Sequence, residues 1–277
     1  MPGDNAPMTE PAWPMAADPT RRIGHAVEFH PEIGSTNDRA REALRDPGGD
    51  GLAVVADLQT AGRGRRGRSW ESPAGLNLMV SIGLRPRLDP VTSALLGIAA
   101  ALAVRDACAA VVPGQQLQVK WPNDVVAADG LKIAGLLVET SLEDGRLADA
   151  VIGMGINVNW PRDAMPPEIR ARATSLAELA GAPIDRVDVL RRLLDALDAE
   201  VTALEAGTSP VERLQAVSAI DGRQVAVDLG TEQLEGTAAG FSDQGFLLLD
   251  THGGRVALAI GEVVAVRDVP LAAGAQP

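Results

Sequence analysis

The 277-residue chain is predicted to be an α+β protein: one large domain of sheet and helices, then a small barrel of short strands. Two patterns carry this prediction. Up to about residue 220, short apolar runs bounded by turn residues are mixed with long helical stretches, and those between 117 and 159 read as a meander of antiparallel strands. After Gly222 helical periodicity stops, and five short strand patterns joined by tight turns follow in about 46 residues.

Ser35-Thr36-Asn37-Asp38 places side-chain acceptors where a helix start needs them, so a short helix is expected to about Arg45. Pro47-Gly48-Gly49 turns the chain into a buried strand at Leu52 to Ala56, with Asp57 to Gln59 as its polar exit. Asn77 to Ile82 reads as a second strand and Thr92 to Val112 as a long Ala/Leu-rich helix ended by Pro113-Gly114. Leu117 to Trp121 is a third strand, broken by Pro122-Asn123-Asp124. Val125 to Ala127 then pairs with Ile133 to Val138 through an Asp129-Gly130 turn. A turn at Glu143-Asp144-Gly145 leads into Ala148 to Asn159. From Asp185 to Glu205, Val189, Leu193, Leu194, Leu197, Val201 and Leu204 recur at helical spacing, and a helix from Pro210 to Ala219 closes the large domain. The small strands are expected at 224–229, 233–238, 245–249, 255–259 and 263–267. The resulting division is a disordered tail at 1–22, a main domain at 23–220, a barrel at 221–270 and a short tail at 271–277.

At 46% hydrophobic and 22% charged residues, with mean hydropathy +0.05, collagen-like, disordered and membrane classes are excluded. The longest apolar run, Ala94 to Val104, stops at Arg105-Asp106, short of the roughly 18 residues of a membrane span. Cys108 is the single cysteine, so no internal disulfide can form and a cytoplasmic location is expected; the N-terminus lacks the order of a signal peptide. Three histidines without ligand spacing predict no zinc site, and net charge −12 disfavours general nucleic-acid affinity. The 25 basic residues divide into 23 Arg and two Lys, Lys120 and Lys132, which lie within thirteen residues of each other.

The most unusual segment is Gly62-Arg63-Gly64-Arg65-Arg66-Gly67-Arg68: four arginines and three glycines in seven residues. Backbone N–H groups and interleaved guanidinium groups suit a polyphosphate or an anionic intermediate. A solvated basic loop or an RGG-like tether are the plainer readings. Gly62 to Ser69 nearly matches a P-loop, a minor alternative because Glu71-Ser72-Pro73-Ala74-Gly75 cannot open the required helix. Lys120-Trp121-Pro122-Asn123-Asp124 sets an amide and a carboxylate just beyond a strand end, able to meet a ligand or hydrated Mg²⁺, or simply to close a turn. Gly153-Met154-Gly155-Ile156-Asn157 permits close backbone approach, or is a core strand thinned by glycine.

Taken in order with Ser35-Thr36-Asn37, Gln59 and Lys132-Ile133-Ala134-Gly135-Leu136-Leu137-Val138-Glu139, these segments resemble the biotin protein ligase family over about residues 25 to 267. The resemblance implies a catalytic domain related to class II aminoacyl-tRNA synthetases and a C-terminal SH3-like barrel. It implies a two-step reaction: biotin and MgATP give biotinyl-5′-AMP and pyrophosphate, then a lysine of a biotin carboxyl carrier domain displaces AMP. By the same resemblance Ser35, Thr36, Asn37 and Gln59 bind the biotin head group, while Arg63, Gly64 and Arg65 form the loop over the carboxyl end and adenylate. Lys132 touches carboxylate and α-phosphate. Arg65, Arg68, Asn123, Asp124, Lys132 and Asn157 contact the nucleotide, with Asp124 reaching Mg²⁺ through ATP; Lys132, Arg63 and Arg65 are the catalytic set. Lys120 is given no catalytic role. Many members carry an N-terminal helix-turn-helix and repress transcription; the short, Pro-rich start of this chain implies no specific DNA partner. The rivals are a lipoate or octanoate ligase of related fold and a non-enzymatic nucleotide- or RNA-binding module.

Overall fold

The computed structural model describes residues 13–267. The main sheet has seven strands: β1 (Val27–Ile33), β2 (Ala53–Gln59), β3 (Leu78–Leu84), β4 (Leu117–Lys120), β5 (Asp124–Ala127), β6 (Lys132–Glu143) and β7 (Arg146–Ile156). Their spatial order is β1-β2-β3-β7-β6-β5-β4. The β1–β2 pair is parallel and every other neighbouring pair antiparallel. Six helices accompany them: α1 (Thr36–Ala43), α2 (Ala94–Val111), α3 (Pro167–Arg170), α4 (Leu176–Ala180), α5 (Arg186–Glu205) and α6 (Val211–Ala216).

The period-2 alternation of β3 divides the molecule into two layers. Leu78, Val80, Ile82 and Leu84 point into the main core with α2 and α5, whereas Met79, Ser81 and Gly83 face the other side. There α1 lies so close that a Cβ on Gly83 would sit 2.7 Å from the Ala40 carbonyl oxygen. By length and composition α2 could cross a membrane, yet 61% of it is buried inside the protein, so its apolar surface is spent on the core. The stripe expected for α5 is buried, and Asp185 caps its start by accepting from the Val187 N–H at 2.9 Å. The β6–β7 hairpin turns on Asp144 and Gly145, both left-handed at φ 51° and 75°, with an irregularity between Ser141 and Leu142.

The expected tail at 1–22 does not hold from residue 13 onward; residues 1–12 and 268–277 lie outside the described part. Trp13–Ala16 forms a 3-10 turn, and Trp13 is fully buried. Its ring stacks on Phe29 at 5.9 Å between centroids, and the Arg186 guanidinium lies 5.0 Å from its centroid. One large aromatic anchors a segment whose average composition gives no sign of order. Strand β1, half-exposed at a sheet edge and carrying Pro31, likewise has no alternation to mark it.

The C-terminal module has β8 (Gln224–Asp228), β9 (Gln233–Phe241), β10 (Leu247–Thr251), β11 (Gly254–Leu258) and β12 (Glu262–Arg267), in the order β11-β10-β9-β8-β12. The five expected strands are present, but hydrogen bonding does not close the sheet between β11 and β12 among the described residues. Val225, Val227, Leu247, Leu249 and Val263 form a separate small core, and Trp121 from the β4 end enters it, donating from its indole nitrogen to the Gly245 carbonyl at 3.2 Å. Trp121 therefore ties the end of β4 to the small core, beside the Asn123-Asp124 corner.

Candidate active site

A cavity of about 770 Å³ opens on the α1 side of the main sheet. Every predicted site residue lines it: Ser35, Thr36, Asn37 and Gln59 from the β1–α1 corner and β2; Arg63, Gly64, Arg65 and Arg68 from the Arg/Gly loop; Asn123, Asp124, Lys132 and Asn157 from β5, β6 and the end of β7. Strand register explains its floor. Ser81, Gly153 and Leu137 form one cross-strand row, and Met79, Gly155, Gly135, Asp124 and Lys120 form the next, running from β3 to β4 on one face. A Cβ on Gly153 would sit 2.1 Å from Asn37 Oδ1, on Gly155 2.4 Å from the Trp70 ring, and on Gly135 2.6 Å from Lys132 Nζ. The glycines are thus the space in which Asn37, Trp70 and Lys132 lie.

At one end the groups are neutral, and all but the half-buried Gln59 are buried. Gln59 Oε1 accepts from the Thr36 N–H at 2.8 Å and its hydroxyl at 3.0 Å. Ser81 Oγ lies 2.7 Å from Thr36 Oγ1 and 2.6 Å from Asn37 Oδ1, while Asn37 Nδ2 donates to Glu139 at 2.7 Å. Three oxygen–oxygen contacts share two hydroxyl protons, so the cluster holds more acceptor capacity than it uses. Ser35 is the N-cap of α1, yet its hydroxyl makes no capping bond, which leaves it available at the cavity wall. Burial would raise the Glu139 carboxyl, but hydrogen bonds from Asn37 and Arg41 hold it below the ordinary range.

The other end is charged. The Arg/Gly loop is closed on itself, with the Gly64 N–H donating to the Arg68 carbonyl at 2.7 Å and the Trp70 N–H to the Gly62 carbonyl at 3.0 Å. Arg63 grips Asp38 through two hydrogen bonds at 2.8 and 2.6 Å. Arg65 donates to Asn123 Oδ1 at 3.0 Å and to the Gly261 carbonyl at 3.2 Å, and burial pushes its pKa down. Arg66 reaches Asp228 at 2.5 Å, and Arg68 is bidentate on Glu262 at 2.7 and 2.8 Å. Three of the four arginines therefore tie the loop to the C-terminal module. Lys132 Nζ is 2.7 Å from Asp124 Oδ1, at an angle that makes no hydrogen bond, and 5.5 Å from the Trp70 ring centroid.

Asn123 and Asn157 line the cavity but spend donors inward. Asn123 Nδ2 donates to the Leu136 carbonyl at 2.8 Å, and Asn157 Nδ2 to the carbonyls of Lys132 and Thr174 at 3.4 and 3.1 Å. Asn157 is buried and steadies the backbone at Lys132. Sequence reasoning gave no role to Ser81, Trp70, Glu139 and Glu262. Ser81 had a signal, as the lone hydroxyl in the Leu78 to Ile82 apolar run; Glu262 had none, since it meets Arg68 across 194 positions.

Residues 31–157 match the model of the biotin/lipoate A/B protein ligase family, and residues 222–265 match that of the biotin protein ligase C-terminal domain. Over 242 residues the chain is 37% identical to the biotin–[acetyl-CoA-carboxylase] ligase of Mycobacterium tuberculosis, covering 85% of this chain and 87% of that protein. It is 35% identical over 240 residues to the bifunctional ligase/repressor BirA of Bacillus spizizenii, covering 85% and 72%. A solved biotin protein ligase from Aquifex aeolicus, in complex with biotin and ATP, superposes with a TM-score of 0.74 at 30% identity, covering 88% of this chain and 99% of that one. Cavity, fold and sequence agree: this chain belongs to the biotin protein ligase family.

Proposed function

We propose that the chain activates biotin with MgATP as biotinyl-5′-AMP and transfers the biotinyl group to a lysine of a biotin carboxyl carrier domain. One observation carries this: a single cavity has a neutral, buried polar end and a cationic end, joined by a glycine floor with Lys132 over it. Ser35, Thr36, Asn37 and Gln59, with Ser81, suit an uncharged head group rich in hydrogen bonds, which binds where no charge must be desolvated. The carboxylate oxygen then attacks the α-phosphorus. As the bond to the β-phosphate oxygen breaks, pyrophosphate leaves; in the second step the acceptor amine attacks the acyl carbon and AMP departs.

Two anions must meet in the first step, so positive charge has to stand between them. Lys132 is the ammonium nearest that junction, held over Gly135 by Asp124 and Trp70. Arg63, Gly64 and Arg65 cover the same region and limit water access to the mixed anhydride. Arg68, Asn123 and Asp124 serve the nucleotide, Asn123 by holding Arg65. The described residues contain no cluster of three or more metal-ligating side chains. That fits a Mg²⁺ ion carried by the phosphates and met by one carboxylate, Asp124.

Cys108 is buried and free, its thiol pushed up to about 12 by desolvation, and we assign the protein to the cytoplasm. The test is biotin-dependent ATP–pyrophosphate exchange followed by labelling of a carrier domain. Exchange with lipoate or octanoate in place of biotin would redirect the assignment; exchange with none of them would overturn it.

A further inference from the structure

Lys120 is the one half-buried cavity lysine left without a counter-ion. It stands at the β4 end of the row Met79, Gly155, Gly135, Asp124 and Lys120, four strand spacings or roughly 19 Å from β3, where Ser81 and the neutral cluster lie. Its ammonium makes no hydrogen bond or ion pair among the described residues, although it lines the cavity. The two carboxylates whose fields reach it, Asp124 and Glu262, are engaged by Lys132 and by Arg68. Burial lowers the Lys120 pKa and these two carboxylates offset only part of that. Arg65, which lines the same cavity, is alike: among the described residues its guanidinium donates to a neutral amide and a carbonyl. A half-buried cation without a partner is unfavourable, and it is retained where a ligand supplies the anion.

We propose that Lys120 binds the β- and γ-phosphates of ATP and holds the pyrophosphate as it leaves, while Lys132 stays with the α-phosphate and the biotin carboxylate. This rests on the ligase reading above. In that step a carboxylate oxygen–phosphorus bond forms, the bond from the α-phosphorus to the bridging oxygen breaks, and its electron pair goes with pyrophosphate. Negative charge therefore grows on the leaving group at the cationic end, within reach of Lys120, and an ammonium there lowers the barrier by meeting it. The division of labour explains why both lysines of an otherwise Arg-only basic set line one cavity.

The test uses Lys120→Met and Lys120→Gln in the full chain, each checked for its melting temperature and for biotin affinity. The expected result is a KM for pyrophosphate and for ATP raised at least tenfold in the exchange reaction. Biotin affinity and transfer from preformed biotinyl-5′-AMP should stay within twofold of the parent. Lys120→Arg should recover part of the pyrophosphate KM. Pyrophosphate and ATP KM values within twofold of the parent would overturn the proposal. So would transfer from preformed adenylate falling by the same factor as adenylation, because that marks a structural role. Failure of the ligase reading is seen separately, as a parent protein with no biotin-dependent exchange.

Discussion

The two ends of the cavity are built on opposite principles. The proposed biotin end uses neutral groups fixed by short, buried contacts, with Ser81, Thr36 and Asn37 at 5% exposure or less. The proposed phosphate end uses cations, several of them exposed, held by carboxylates that a ligand can replace. A buried neutral bond leaves an unsatisfied group behind when broken, at about 1–3 kcal/mol, whereas an exposed ion pair contributes about 0–1 kcal/mol. Selection of the uncharged substrate part is therefore fixed in advance, and the handling of charge is exchangeable.

Four experiments test that contrast. The largest effect is expected at the junction. Lys132→Ala should lower adenylate formation by about 10²- to 10³-fold or more while the melting temperature stays near the parent, since the side chain is 30% exposed. Lys132→Arg should also be poor, because a planar fork cannot follow charge from carboxylate to phosphate as a compact ammonium does. Near-normal exchange in Lys132→Ala would remove the junction from the comparison.

Next comes Gly153→Ala, whose Cβ would sit 2.1 Å from Asn37 Oδ1. Displacing Asn37 should weaken biotin binding by about 1–3 kcal/mol, the range for overpacking a tight site, with the KM for ATP unchanged. Equal losses for both substrates would mean the ends are not independent. Arg65→Gly tests the opposite end. It should raise the off-rate of biotinyl-5′-AMP by about tenfold, as expected for loss of one charge-assisted hydrogen bond, with initial biotin capture little changed. Labelling of an unrelated lysine-rich protein should rise with it. An unchanged off-rate and unchanged selectivity would leave the loop no part in retaining the adenylate.

The smallest effect concerns pH. The Arg63 hydrogen bond holds the Asp38 carboxyl below its usual value, so this tether is complete above the ordinary aspartate pKa of about 4 and is lost as pH falls through the lowered one. Cleavage of the Arg/Gly loop by an acid-active protease should increase across that window, and an Asp38→Asn variant should be cleaved equally at all pH values. A parent protein with no such rise would show that Arg63 is not tethered through Asp38.

Much of this was legible in the chain. The twelve predicted site residues line one cavity because they sit at strand ends and corners, where turn residues and glycines mark the sequence. The C-terminal strands were readable from their turns. What escaped notice depends on distance. Asp228 and Glu262 meet the arginine loop across 162 and 194 positions, and no periodicity encodes such a meeting. Trp13 escaped for a related reason: its order comes from Phe29 and Arg186, not from its Pro-rich neighbours. The inward bonds of Asn123 and Asn157 were hidden because an amide near a strand end looks the same whether it faces a ligand or a carbonyl.

The hairpin at Asp144-Gly145 has a consequence for the distant site. It sets β6 against β7 so that Gly135 meets Gly155 and Leu137 meets Gly153. A strand slipped by one residue turns every side chain over; on β6 that would bring Leu136, and on β7 Met154, onto the face beneath Trp70. Both now point into the core. The groove would fill with side chains although no site residue had changed. An insertion or deletion of one residue at this surface turn is therefore an alteration of substrate fit, and the two left-handed residues that shape the turn act as the alignment mark for the catalytic floor.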